Sequence, residues 1–163
     1  METASVMTAA RTFSSTTDRV RAHTSQRLNH KIDQGSMKRI WYYASRPKEE
    51  ISARIDALDA EWDLERAVEV AYASTTLFGV MMSALRTRRW LTLPAVMMGC
   101  MLHHATTGSA PTVFLFRQVG FRTRREIEAE KYALKMLRGD FDALKNISEG
   151  THRAIEALRL SRM

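Results

Sequence analysis

Apolar residues recur along most of this chain at helical spacing, three or four positions apart. In two stretches polarity nearly vanishes. These are Ala67 to Leu85 and Trp90 to Gly108, joined by the turn Arg86-Thr87-Arg88-Arg89. Each is about 18–19 residues long, or roughly 27–28 Å of helix at 1.5 Å per residue. The hydrocarbon core of a bilayer is about 30 Å thick, so each is just long enough to approach a crossing. So short a turn permits only an antiparallel pair. The pattern predicts a helical hairpin that either enters a membrane or forms the centre of a soluble bundle.

Amphipathic segments flank it. Leu28 and Ile32, then Met37, Ile40, Trp41 and Ala44, predict a helix from about Ser25 to Ala44. The Trp41-Tyr42-Tyr43 cluster at its end suits either an interfacial anchor or core packing. Pro47 ends that helix and suits the start of the next, where Glu49 and Glu50 complement the positive end of the dipole. Ile51, Ile55, Leu58 and Trp62 mark its buried face, and without an evident breaker it is expected to run about 38 residues to Arg86. It turns from amphipathic to apolar all round, as a helix does on leaving water for lipid.

Downstream, Pro111 precedes a mixed stretch, Thr112 to Phe121. Thr123-Arg124-Arg125-Glu126 has the form of a capping box and predicts a helix start. Ile127, Glu130, Leu134 and Leu137 would share one side, and Gly139 would stop the helix. Shorter helices are expected over Phe141–Ile147 and His152–Leu160. With 7 Gly and 3 Pro and no sustained alternation, the fold class is all-α. The expected organisation is a disordered tail (1–22), an N-terminal helical arm (23–65), the hairpin (66–110) and a C-terminal helical arm (111–163).

Small residues refine the membrane reading. Ala71, Thr75, Gly79 and Ser83 form a row at four-residue spacing, and Ala95 and Gly99 repeat it in the second stretch. Such rows let helix backbones approach closely, a main source of association in lipid. Trp90 and Arg122, Arg124 and Arg125 join Trp41, Tyr42 and Tyr43 as candidate headgroup anchors.

The net charge of +7 fits an anionic partner, phospholipid or nucleic acid. The basic residues are interleaved with acids and form no dense face with aromatic platforms, which disfavours nucleic acid. Around the hairpin, Arg54, Arg66, Arg117, Arg122, Arg124 and Arg125 outnumber the three turn arginines, six against three. Both termini are therefore expected on the cytoplasmic side. The tail lacks the apolar core of a secretory signal; Arg11, Arg19 and Arg21 give only a faint likeness to a mitochondrial presequence.

Few residues could carry chemistry. Cys100, His103 and His104 are the one soft-ligand group, sharing a helix face that a dimer could double around a metal or haem iron. Their plainer reading is a small hydrophobe and two interfacial polar residues, so no metal or cofactor is expected. Glu69 with His103 or His104 could tie the open ends of the hairpin. No HExxH, phosphate loop or nucleophile elbow occurs, so no catalytic residue is assigned.

The ending Thr107-Gly108-Ser109-Ala110-Pro111, set after two short apolar helices and a tight turn, resembles the YgaP-like transmembrane hairpin family. The resemblance covers Glu65 to Phe116. Bacterial members with helical arms carry segments like Trp62-Asp63-Leu64-Glu65-Arg66, Gly120 to Arg124 and Tyr132 to Phe141. It implies a small bacterial inner-membrane protein whose hairpin pairs with a second copy. Ala110 stands where the family motif has cysteine, so thiol chemistry at that position is not implied.

Together these point to a non-enzymatic membrane hairpin protein. It would be held by lipid, form a homo-oligomer (a dimer), and use its arms to dock an unidentified protein partner. The alternative is a soluble helical-bundle module that binds nucleic acid or an acidic partner through its basic surface. A small transport or haem-associated subunit is a third reading.

Overall fold

The computed structural model describes residues 19–107, 110–147 and 150–161, with the side chains of 145 and 146 left aside. Residues 1–18 of the expected tail, and Gly108 and Ser109 of the motif ending, lie outside the described residues. Every regular element described is helical. In chain order these are α1 (Arg19–Ala22), α2 (Gln26–Ala44), α3 (Lys48–Asp59), α4 (Leu64–Leu85), a 3-10 turn (Arg88–Leu91), α5 (Thr92–Thr107), α6 (Pro111–Val119), α7 (Arg124–Arg138), a second 3-10 turn (Asp142–Asn146) and α8 (Gly150–Ser161).

The helices pack into two compact units, each discontinuous in sequence. Among the described residues, one comprises those up to Ile32 with those from Trp62 to Thr123, the other Asp33–Glu61 with those from Arg124 onward. The parts of each arm are thus shared between the units, a grouping different from the expected linear order.

In the first unit, Leu64, Val68 and Tyr72 of α4 form a core with Val113 of α6 and Val20 of α1. Met97, Cys100 and Met101 of α5 lie against it. Arg19–Ala22, placed by sequence in a disordered tail, is instead a helical turn with its one valine in this core. Polar ties fix the edges. Arg117 is fully buried and donates to Asn29 Oδ1 at 2.8 Å and to the Phe121 carbonyl at 3.3 Å. The Asn29 amide in turn donates to the carbonyls of Arg21 at 2.9 Å and Thr24 at 3.3 Å.

In the second unit, Ile51, Ile55 and Leu58 of α3 pack on Ile127 and Leu134 of α7, with Tyr43 alongside. Glu130 sits in the middle of this face with its side chain wholly buried. It accepts from Arg39 Nε at 3.0 Å and Nη2 at 2.8 Å, and from Arg54 Nη2 at 2.8 Å. Leu137, expected on the same side, is exposed. The buried line passes to Arg138, whose guanidinium donates to Ser52 Oγ at 2.7 Å and pairs with Asp140 at 2.6 Å.

Several boundaries follow local chemistry. Asp63 caps α4, its carboxylate accepting from the Arg66 amide at 2.7 Å. The helix expected to run unbroken to Arg86 is therefore two, parted at Ala60–Asp63. Trp62 falls in that break and is exposed, with the Arg66 guanidinium 4.8 Å over its ring. At Gly139 (φ 92°) the Asp140 amide reaches back to the Lys135 carbonyl at 3.1 Å. At Gly120 (φ 107°) the Phe121 amide does the same to Phe116 at 3.0 Å. Both are left-handed helix stops for which glycine is suited.

Candidate functional site

The apolar hairpin consists of α4 and α5, and its contact is built on one glycine. A Cβ at Gly79 would lie 2.5 Å from Pro94 Cδ and 2.9 Å from Pro94 Cγ. The absence of a side chain at Gly79 thus lets the proline ring rest on the α4 backbone. Pro94 stands in the first turn of α5, where no intrahelical amide bond is lost. Leu93 and Pro94 of α5 meet α4 at Gly79, and Met97, Cys100 and Met101 pack on the core that Leu64, Val68 and Tyr72 form; His104 is half-buried.

The open end is closed by side chains from elsewhere in the same unit. Tyr72 Oη and Thr112 Oγ1 share a hydrogen bond of 2.8 Å. Arg19 Nη1 donates to the carbonyls of Ala105 at 3.0 Å and Thr106 at 2.9 Å. A cation there satisfies carbonyls left over at the end of α5 and faces the negative end of its dipole. The expected tie from Glu69 to His103 or His104 is not made: Glu69 is exposed and, among the described residues, has no ion pair.

Beyond Tyr72, α4 loses its cover. Leu77 and Leu85 are each 70% exposed, with Phe78, Val80 and Met81 also exposed. On α5, Leu102 is 67% exposed, with Val96 and Met98 exposed, as is Leu91 of the preceding 3-10 turn. Among the described residues, the run Lys48–Leu85, α3 and α4 with the break between them, holds the one stretch long and apolar enough to cross a membrane by length and composition; α5, with 16 residues, is shorter. The charged residues of the run's first part place the apolar window in α4. Only 17% of that window is buried inside the chain, unlike a core helix of a soluble protein.

The small-residue row divides. Gly79 is buried, and Ala71, Thr75 and Ser83 are half-buried. The Thr75 hydroxyl donates to the Ala71 carbonyl at 2.7 Å and that of Ser83 to Val80 at 2.7 Å. Ala95 and Gly99 lie on the outer side of α5, exposed, with nothing within 4 Å of a Cβ placed at Gly99.

The aromatic and basic anchors divide as well. Trp41 is 75% exposed and Tyr42 is exposed beneath the Arg46 guanidinium, 4.4 Å from its ring, whereas Tyr43 belongs to the core of its unit. Trp90 lies at the apex, edge-on to Phe78 with ring centroids 5.9 Å apart. Arg124 and Arg125 are exposed; Arg122 is buried, its carbonyl accepting from the Leu64 amide at 2.8 Å. Arg122 is therefore out of reach of any headgroup.

Cys100 packs against the core, His103 is exposed and His104 half-buried. Among the described residues no three His, Cys, Asp or Glu side chains gather closely enough to hold a metal ion. No protein-family model, curated protein or solved structure matches the chain.

Sequence reading missed the Arg19 cap, the Asn29–Arg117 tie and helix α6. Pro111 followed by an apolar run and Gly120 was the available signal for α6.

Proposed function

We propose that the chain is a small, non-enzymatic integral membrane protein that inserts the α4–α5 hairpin into a bilayer and self-associates there. The reading rests on one observation, the bare apolar surface of the hairpin beyond Tyr72. Water strongly disfavours so much contiguous apolar area on a monomer, and lipid covers it at no cost in packing.

The length of α4 suits a crossing. The 22 residues of α4 give about 33 Å of helix. The 16 residues of α5 give about 24 Å, short of the roughly 30 Å core, so α5 needs a locally thinned bilayer to keep its arginine-bearing turn at the headgroups. Stopping partway would leave Arg86, Arg88 and Arg89 in hydrocarbon. Each would cost roughly 2.5–3.5 kcal/mol at the bilayer centre, about 8–10 kcal/mol for three. A headgroup layer removes that cost, so the apex belongs in one.

Charge does not set the orientation by itself. Of the six flanking arginines, Arg117 and Arg122 are buried and Arg54 is engaged with Glu130. The assignment of both termini to the cytoplasmic side rests on the arms, since one short turn is simpler to move across than two polar arms. A bacterial inner membrane and a kinship with YgaP-like hairpins follow as parts of the same proposal, with the arms available to a protein partner.

Cell fractionation tests it. The chain should stay in the membrane pellet through a carbonate wash. Release into the supernatant would sink the proposal in favour of a soluble basic module.

A further inference from the structure

We infer that the hairpin apex, Arg86 with Arg88 and Arg89, is a binding site for the phosphate headgroups of anionic phospholipids. The inference rests on the membrane reading and adds the class of lipid.

Three observations carry it. First, the three side chains are exposed and, among the described residues, make no ion pair or hydrogen bond. Second, nothing nearby in sequence can neutralise them, because the chain has no Asp or Glu between Glu69 and Glu126. Arg88 and Arg89 also stand at the start of the segment leading into α5, the positive end of its dipole. Placing two cations there is unfavourable unless an outside anion offsets them. Third, Leu85, Trp90 and Leu91 adjoin the arginines and are themselves exposed, and Trp90 is braced edge-on by Phe78. The apex thus offers guanidinium groups and large apolar side chains within a few residues of each other.

That combination selects among anionic partners. A nucleic acid would neutralise the arginines but leave the leucines and tryptophan in water. A layer of anionic lipid supplies phosphate to the first and the upper acyl chains to the second. Guanidinium is suited to the task, since it stays charged and can bridge two phosphate oxygens at once.

The test is flotation of the purified full chain, released from detergent, with vesicles of phosphatidylcholine alone or with added phosphatidylglycerol. Wild type is expected to float with both and to favour the anionic vesicles, less so at high salt. The triple variant R86Q/R88Q/R89Q should float with phosphatidylcholine as wild type does but lose most of the anionic preference, tenfold or more. A triple variant that keeps the full preference overturns the inference while leaving insertion standing. Salt-sensitive retention on DNA that the triple variant loses, with no lipid preference in wild type, overturns it in favour of nucleic acid. Failure of wild type to float with either vesicle would instead remove the membrane reading on which it rests.

Discussion

Glu130 shows at the level of one residue how far a sequence can be read. Its helical spacing with Ile127 and Leu134 put it on the buried face of α7, which is where it lies. Which residues satisfy a buried carboxylate was not legible, because Arg39 and Arg54 come from two other helices far away in sequence. A buried acid stripped of its cations, or cations stripped of their acid, is costly. Glu130→Gln should destabilise the chain by about 3 kcal/mol in denaturant unfolding followed by circular dichroism in mild detergent. Arg124→Ala, which removes the exposed pair with Glu128, should cost under about 1 kcal/mol.

Asp140 adds a pH dependence at the same scale. The hydrogen bond from Arg138 holds its carboxyl below the usual aspartate range. Its folded pKa lies below its unfolded value, so the stabilisation is complete above the unfolded aspartate value of about 3.9. It is lost as pH falls through the lower folded value. Unfolding followed from neutral pH into the acid range, through the unfolded aspartate value and below it, should show a loss from this group no larger than the roughly 1 kcal/mol of a partly exposed pair, absent in Asp140→Asn. A variant with an unchanged acid limb would refute the assignment. Lys135 runs the other way: burial pushes its ammonium below the ordinary lysine range, so it weakens the fold at neutral pH.

Among the elements, helix ends were the most legible feature because capping chemistry is local. The start of α7 directly after Thr123 and its stop at Gly139 follow from a handful of adjacent residues. The break at Ala60–Asp63 was missed because apolar spacing runs on through Trp62 and outweighed the capping signal of Asp63. The pairing of α4 with α5 was legible from the short turn, but the side that α5 presents was not. Mean apolarity all round a helix carries no phase, and a proline, not the small residues Ala95 and Gly99, meets Gly79. Gly79→Ala should force the rigid Pro94 ring away and cost about 1–3 kcal/mol in thermal unfolding of the detergent-solubilised protein. Gly99→Ala meets no neighbour and gains helix propensity, so its midpoint should be unchanged or higher. Equal losses in both variants would contradict the assigned seam.

For the whole molecule, the division of the small-residue rows bears on assembly. One row is spent inside the chain, where Gly79 seats Pro94. The other, Ala95 and Gly99, faces outward with open space over Gly99, beside the exposed side chains of Val96, Met98 and Leu102. In lipid, apolar side chains gain little by leaving acyl chains for one another, so association depends on backbones that can come close. For the self-association proposed above, the outward Ala-xxx-Gly step is the place on this hairpin that leaves room for a second copy. Gly99→Ile fills the space with a branched side chain and removes the close approach, while leaving the intrachain contact at Gly79 alone. It should lower self-association in vesicles, read as energy transfer between donor- and acceptor-labelled chains, by tenfold or more. Membrane recovery after carbonate washing should stay the same, because Ile is at least as apolar as Gly. Unchanged energy transfer would move the proposed dimer contact off α5, whereas loss of both readouts would mean that Gly99 serves the fold of the hairpin itself.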